Sequence, residues 1–85
     1  MSPTQAFAKV LKHYRNQKKL SQLELALEAN LDRTYISLLE RGLRQPSLST
    51  IFQIADVLQV NPEKLIEHTN VYIQTQTLSD LNNNE

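Results

Sequence analysis

Cysteine is absent from this chain, so neither a disulfide framework nor a Cys-based zinc site can form. Glycine occurs once, at Gly42, which leaves no glycine-rich loop to cradle a phosphate. No apolar run approaches the ~20 residues that a membrane span requires, and the N-terminus carries no signal-peptide h-region. A soluble, internal protein is expected. The two histidines, His13 and His68, are far apart in sequence, and the acids are scattered without metal-ligand spacing. No metal, no cofactor and no small-molecule ligand is expected, and nothing supports an enzyme.

What is present fits one small domain. With 85 residues, about 60–70% of the unfolded surface can be buried, enough for a few short helices or for a core completed by a partner subunit. Formal net charge is zero, but its distribution is uneven. Residues 1–44 hold eight bases (Lys9, Lys12, Arg15, Lys18, Lys19, Arg33, Arg41, Arg44) against four acids (Glu24, Glu28, Asp32, Glu40). Residues 45–85 hold Lys64 against five acids (Asp56, Glu63, Glu67, Asp80, Glu85). One half can face a phosphate backbone while the other is repelled by it, or the asymmetry is that of an ordinary solvated surface.

Caps and periodicity predict an all-α fold, a compact bundle of five short helices. Ser2-Pro3-Thr4-Gln5 offers a capping box with proline in the first turn, and Phe7, Val10, Leu11 and Tyr14 then recur at i, i+3, i+4, i+7. Ser21-Gln22-Leu23-Glu24 is a second capping box, and Asn30 tolerates the left-handed backbone of a tight turn. Asp32 is placed to cap a third helix running to Arg41, which Gly42 ends; Leu43 and Leu38 are spaced for the apolar contact of a Schellman motif. Ser47 caps a fourth helix, with Leu48, Ile51, Phe52, Ile54, Ala55 and Leu58 expected inward. Asn61-Pro62 opens a short fifth helix carrying Leu65 and Ile66. Residues 1–68 then form the domain, and residues 69–85 a tail. In that tail Val71-Tyr72-Ile73-Gln74-Thr75 alternates like a strand or a strand-like arm, and Asn82-Asn83-Asn84-Glu85 reads as disordered.

The second and third helices, joined by a tight turn, have the anatomy of a helix-turn-helix that reads the major groove of duplex DNA. Ala26 supplies a small side chain at the crossing, Asn30 the turn, and Ile36 and Leu39 the apolar back of the third helix. Arg33, Thr34, Ser37 and Arg41, with Tyr35 in part, remain for the outward faces. Arg33 suits guanine O6 and N7, and it stands at a helix start where the dipole disfavours a cation, which points to an external anion. Thr34 and Tyr35 can offer hydroxyls or meet a thymine methyl, and Ser37 can reach a base or a phosphate; a half-buried core position is the competing reading of Tyr35. Arg41, Arg44 and Ser47 flank the following loop as DNA-backbone candidates, with Lys18 and Lys19 adding to the field.

Residues 22–41, closed by Glu40-Arg41-Gly42, resemble the lambda-repressor-like helix-turn-helix family of phage repressors and Cro proteins. The run Leu31-Asp32-Arg33-Thr34-Tyr35-Ile36-Ser37 and the chain length are most similar to controller proteins of restriction–modification systems. The resemblance spans about residues 7–67, and it departs at Asn30, where the family usually has glycine. It implies a twofold homodimer on a pseudo-palindromic operator, in the cytoplasm of a bacterial or phage-infected cell. It also implies that Gln22 clamps a phosphate at its helix N-terminus and that Arg15 and Glu40 form a structural salt bridge. Leu65 and Ile66, with exposed parts of the fourth helix, are expected at the dimer seam. A phage-type repressor, or an antitoxin whose tail neutralises a toxin, is the alternative use of the same domain.

Overall fold

A computed structural model describes the backbone of residues 1–83 and the side chains of residues 1–76. Five helices follow one another: α1 (Pro3–Gln17), α2 (Gln22–Ala29), α3 (Arg33–Glu40), α4 (Leu48–Leu58) and α5 (Pro62–Asn83). No strand occurs among the described residues. The two capping boxes form as their spacing requires. Ser2 accepts from the Gln5 amide and Ser21 from the Glu24 amide, while the Gln5 and Glu24 side chains return to the cap backbones. The Ser21 contacts hold the Glu24 carboxyl below its ordinary range. Asp32 occupies the start of α3 with extended backbone, but its carboxylate makes no cap hydrogen bond.

Helices α1 to α4 all end in the same way. Lys19, Asn30, Gly42 and Gln59 take left-handed backbone, with φ of 58°, 57°, 71° and 57°. After each, an amide reaches back to close the last turn: Leu20 to Arg15 O, Leu31 to Ala26 O, Leu43 to Leu38 O and Val60 to Ala55 O, at 2.8–3.1 Å. These are Schellman closures, and only one of the four uses glycine. The hydrogen bonds expected at Gly42 are present, although Leu43 itself remains largely exposed.

The core draws on every helix: Leu11 from α1, Leu25 from α2, Ile36 and Leu39 from α3, Ile54 and Leu58 from α4, and Leu65 from α5. Ala26 is buried with them, as a crossing of α2 and α3 demands. Three sequence expectations are corrected. Leu48 and Phe52 point outward, 72% and 56% exposed, because the buried stripe of α4 is the i, i+3, i+4, i+7 set Ile51, Ile54, Ala55 and Leu58. Leu65 is fully buried and therefore absent from any dimer surface, whereas Ile66 beside it is half exposed.

The third correction concerns residues 69–83. Val71 to Thr75 form neither strand nor arm but the middle of α5, which crosses the boundary expected after His68 without interruption. Alternation loses to the helical period: Leu65, Thr69, Ile73 and Gln76 recur at helical spacing, the first two buried and the last two half-buried. α5 packs chiefly on α1, and a lone strand would have no ladder partner. Asn82 and Asn83, expected to be disordered, close α5; Asn84 and Glu85 lie outside the described residues.

Candidate nucleic-acid interface

Glu40 organises the base of the helix-turn-helix. Its carboxylate accepts from Arg15 Nε at 2.6 Å and Nη2 at 2.9 Å, a two-pronged pair, and from Gln22 Nε2 at 3.1 Å. Arg15 Nη1 also donates to the Leu20 carbonyl at 2.7 Å. One carboxylate thus ties together α1, the start of α2 and the end of α3. The Arg15 and Glu40 side chains are 11% and 3% exposed, and the carboxylate raises the Arg15 pKa further. Gln22, expected to clamp a phosphate, has one amide hydrogen engaged by Glu40; its second amide hydrogen and its oxygen have no partner among the described residues.

α3 shows its two sides clearly. Ile36 and Leu39 are fully buried, while Arg33 and Thr34 are exposed and without protein partners among the described residues. Ser37 is half-buried. Arg41 turns back along its own helix, Nε lying 3.4 Å from the Ser37 carbonyl, and Arg44 and Ser47 stand exposed in and after the loop. Lys18 is held by Gln59 Oε1 at 2.9 Å, and Lys19 is the left-handed residue closing α1. Tyr35 packs half-buried against the core, its hydroxyl 3.3 Å from Thr50 Oγ1, so the core reading of this residue describes its ring.

Three features escaped sequence reading. Thr50 is buried at the start of α4 and bonds both Tyr35 and Ser47. A Ser47-x-x-Thr50 spacing, which puts a hydroxyl at the third position after a cap, is the signal that points to half of this arrangement. The histidines also have a common neighbour. Tyr14 hydrogen-bonds His68 Nδ1 through its hydroxyl, stacks on that imidazole with centroids 5.4 Å apart, and meets the His13 ring edge-on at 5.8 Å. Val10, Val71 and Tyr72 complete a cleft of about 190 Å³ around them. Third, Leu48 and Phe52, one turn apart, present an apolar edge of α4 to solvent. Among the described residues no group of three or more His, Asp or Glu is placed to hold a metal, and no helix is long and apolar enough to cross a membrane.

A buried small residue at the crossing, a left-handed turn and a helix with one exposed polar side define a helix-turn-helix. The family model of that description matches residues 11–65, more than half of the chain. The chain belongs to the helix-turn-helix family. It is 43% identical over 56 residues to control protein C.BamHI of Bacillus amyloliquefaciens, a match covering 66% of this chain and 69% of that protein. The crystal structure of the restriction-modification controller protein C.AhdI from Aeromonas hydrophila superposes with a TM-score of 0.71 at 39% identity, over 73% of this chain and 94% of that one. The clp gene regulator ClgR from Corynebacterium glutamicum shares the fold, with a TM-score of 0.89 at 20% identity over 94% of this chain and 85% of that one.

Proposed function

We propose that the chain is a sequence-specific DNA-binding regulator of transcription, of the controller type that governs a restriction–modification operon. One observation carries the reading. α3 buries Ile36 and Leu39 completely and leaves Arg33 and Thr34 exposed and unpaired at the end a recognition helix inserts first. A guanidinium kept free at a helix start, against the helix dipole, fits an external acceptor. The 43% identity to a control protein and the superposition on a controller structure support the same reading.

In this reading Arg33 takes guanine O6 and N7, and Thr34, Tyr35 and Ser37 meet neighbouring base edges. Gln22, through its unengaged amide hydrogen, joins Arg41, Arg44 and Ser47 on the phosphates. The protein binds as a twofold homodimer with half-sites about one helical turn apart, ~10–10.5 bp. Ile66 forms the seam together with Leu48 and Phe52, the exposed edge of α4. Selection of bound sites from random duplex DNA tests the whole: a two-half-site consensus with that spacing is expected. Arg33→Ala should lose about 1–3 kcal/mol on the selected site and relax one base pair per half-site. Recovery of no consensus, or unchanged binding by Arg33→Ala, overturns the reading.

A further inference from the structure

We infer that Thr50 is a positioning residue for sequence readout: its buried hydroxyl joins the Tyr35 phenol on α3 to the Ser47 hydroxyl at the start of α4, so that a base contact and a backbone contact are set together. The inference rests on the DNA-binding reading above. Among the described residues two uncharged polar side chains are buried, Thr50 and Thr69. Thr69 returns to its own helix, donating to the Leu65 carbonyl at 2.7 Å. Thr50 bonds outward instead, to Ser47 Oγ at 2.9 Å and to Tyr35 Oη at 3.3 Å. Ser47 Oγ also accepts the Thr50 amide at 3.1 Å.

Three hydroxyls carry three protons, and the chain can run in two directions. If Ser47 donates to Thr50 and Thr50 to Tyr35, the phenol proton is free to point outward. If Tyr35 donates to Thr50 and Thr50 to Ser47, both Ser47 lone pairs are filled and the Ser47 proton is the one left free. A phosphate seated on Ser47 accepts that proton and so selects the second direction, each bond polarising the next. The Tyr35 proton is then engaged by Thr50, and the phenol oxygen faces the groove as an acceptor only. Its complement is an amino group, adenine N6 or cytosine N4; carbonyl and N7 acceptors are refused. Thr50, which touches no DNA, thereby sets what Tyr35 reads.

The test compares wild type, Thr50→Val, Thr50→Ser and Tyr35→Phe by site selection from random duplexes and by affinity for the selected site and for random duplex, with thermal unfolding to verify that each variant is folded. Val keeps the shape of Thr without the hydroxyl, and Ser restores the hydroxyl. Thr50→Val and Tyr35→Phe should each lower the ratio of specific to random binding by about three- to tenfold. Both should alter preference at the same base pair, Thr50→Val toward an acceptor-bearing base because the phenol proton is released. Thr50→Ser should behave as wild type, and the Thr50→Val/Tyr35→Phe double variant as the worse single one. Effects that multiply, a Thr50→Val protein selecting the wild-type site at full ratio, or equal weakening on all duplexes overturns the coupling. Tyr35→Phe keeps the ring, so it tests the shared base pair even if Thr50→Val does not fold: an unchanged site then overturns the inference. A wild-type protein that selects no site overturns the DNA-binding reading itself, whereas selection by the wild type without the Thr50 effect overturns the coupling alone.

Discussion

Glu40 and Arg15 are the residues on which the geometry of the site depends most directly. The pair is nearly dry, and its two partners are not equally so, with Glu40 at 3% exposure and Arg15 at 11%. Removing one member leaves the other with its desolvation cost and without its counter-ion. Arg15→Ala is therefore expected to lower unfolding free energy by about 3 kcal/mol, measured by urea denaturation. Glu40→Ala should cost less, because the stranded guanidinium keeps its bond to Leu20 O and better access to water. A loss under about 1 kcal/mol for Arg15→Ala would mean the pair is effectively solvated. At this scale the pairing of Arg15 with Glu40 was legible only through family resemblance. The third member, Gln22, was legible as a residue at a helix start but not as a ligand of Glu40, 18 positions away.

Helix ends were the most legible elements. Caps and closures act over three to five residues, so Ser2, Ser21, Ser47, Asn30 and Gly42 announce themselves in the sequence. Lys19 and Gln59 did not, because neither residue type signals left-handed backbone. The closing amide hydrogen bonds and the burial of the flanking helices hold them there at a local cost. Lys19→Gly should relieve that cost and raise stability by about 1 kcal/mol in thermal unfolding, since the Lys19 side chain is exposed and has no partner among the described residues. Asn30→Gly should gain less, because Asn tolerates the conformation better. No gain at Lys19 would show that glycine's extra unfolded-state entropy offsets the relief. Residues 71–75 mark where element-level reading failed. Their β-branched alternation is a weak local preference, and the packing of α5 on α1 outweighs it.

For the whole molecule, the proposed seam of Ile66, Leu48 and Phe52 would couple assembly to DNA binding. Phe52→Lys and Ile66→Lys place charges on that surface and should shift the sedimentation of the protein from dimer to monomer, with little loss of helix by circular dichroism because both side chains are exposed. DNA affinity should fall steeply with salt in the dimer. In the monomer the log–log slope should drop by about half, as half the phosphate contacts are lost. A salt-independent affinity, or variants that still sediment as dimers, would contradict the arrangement.

Sequence alone determined what lies within a helical turn: the five helices in order, most of their caps, the inward stripes of α1 and α3, and the exposed Arg33 and Thr34 between a turn and a buried back. Those features follow from backbone hydrogen-bond closure and from the 3.6-residue period, both of which are written locally. Tertiary structure alone decided the rest. It set Leu65 inward and Ile66 outward, extended α5 through residues 71–83, and turned Leu48 and Phe52 to solvent. It also joined Tyr35 to Thr50 and Tyr14 to His68 across 15 and 54 positions. Such contacts depend on the angles at which helices cross, and those angles come from the packing of all five against one core rather than from any one segment.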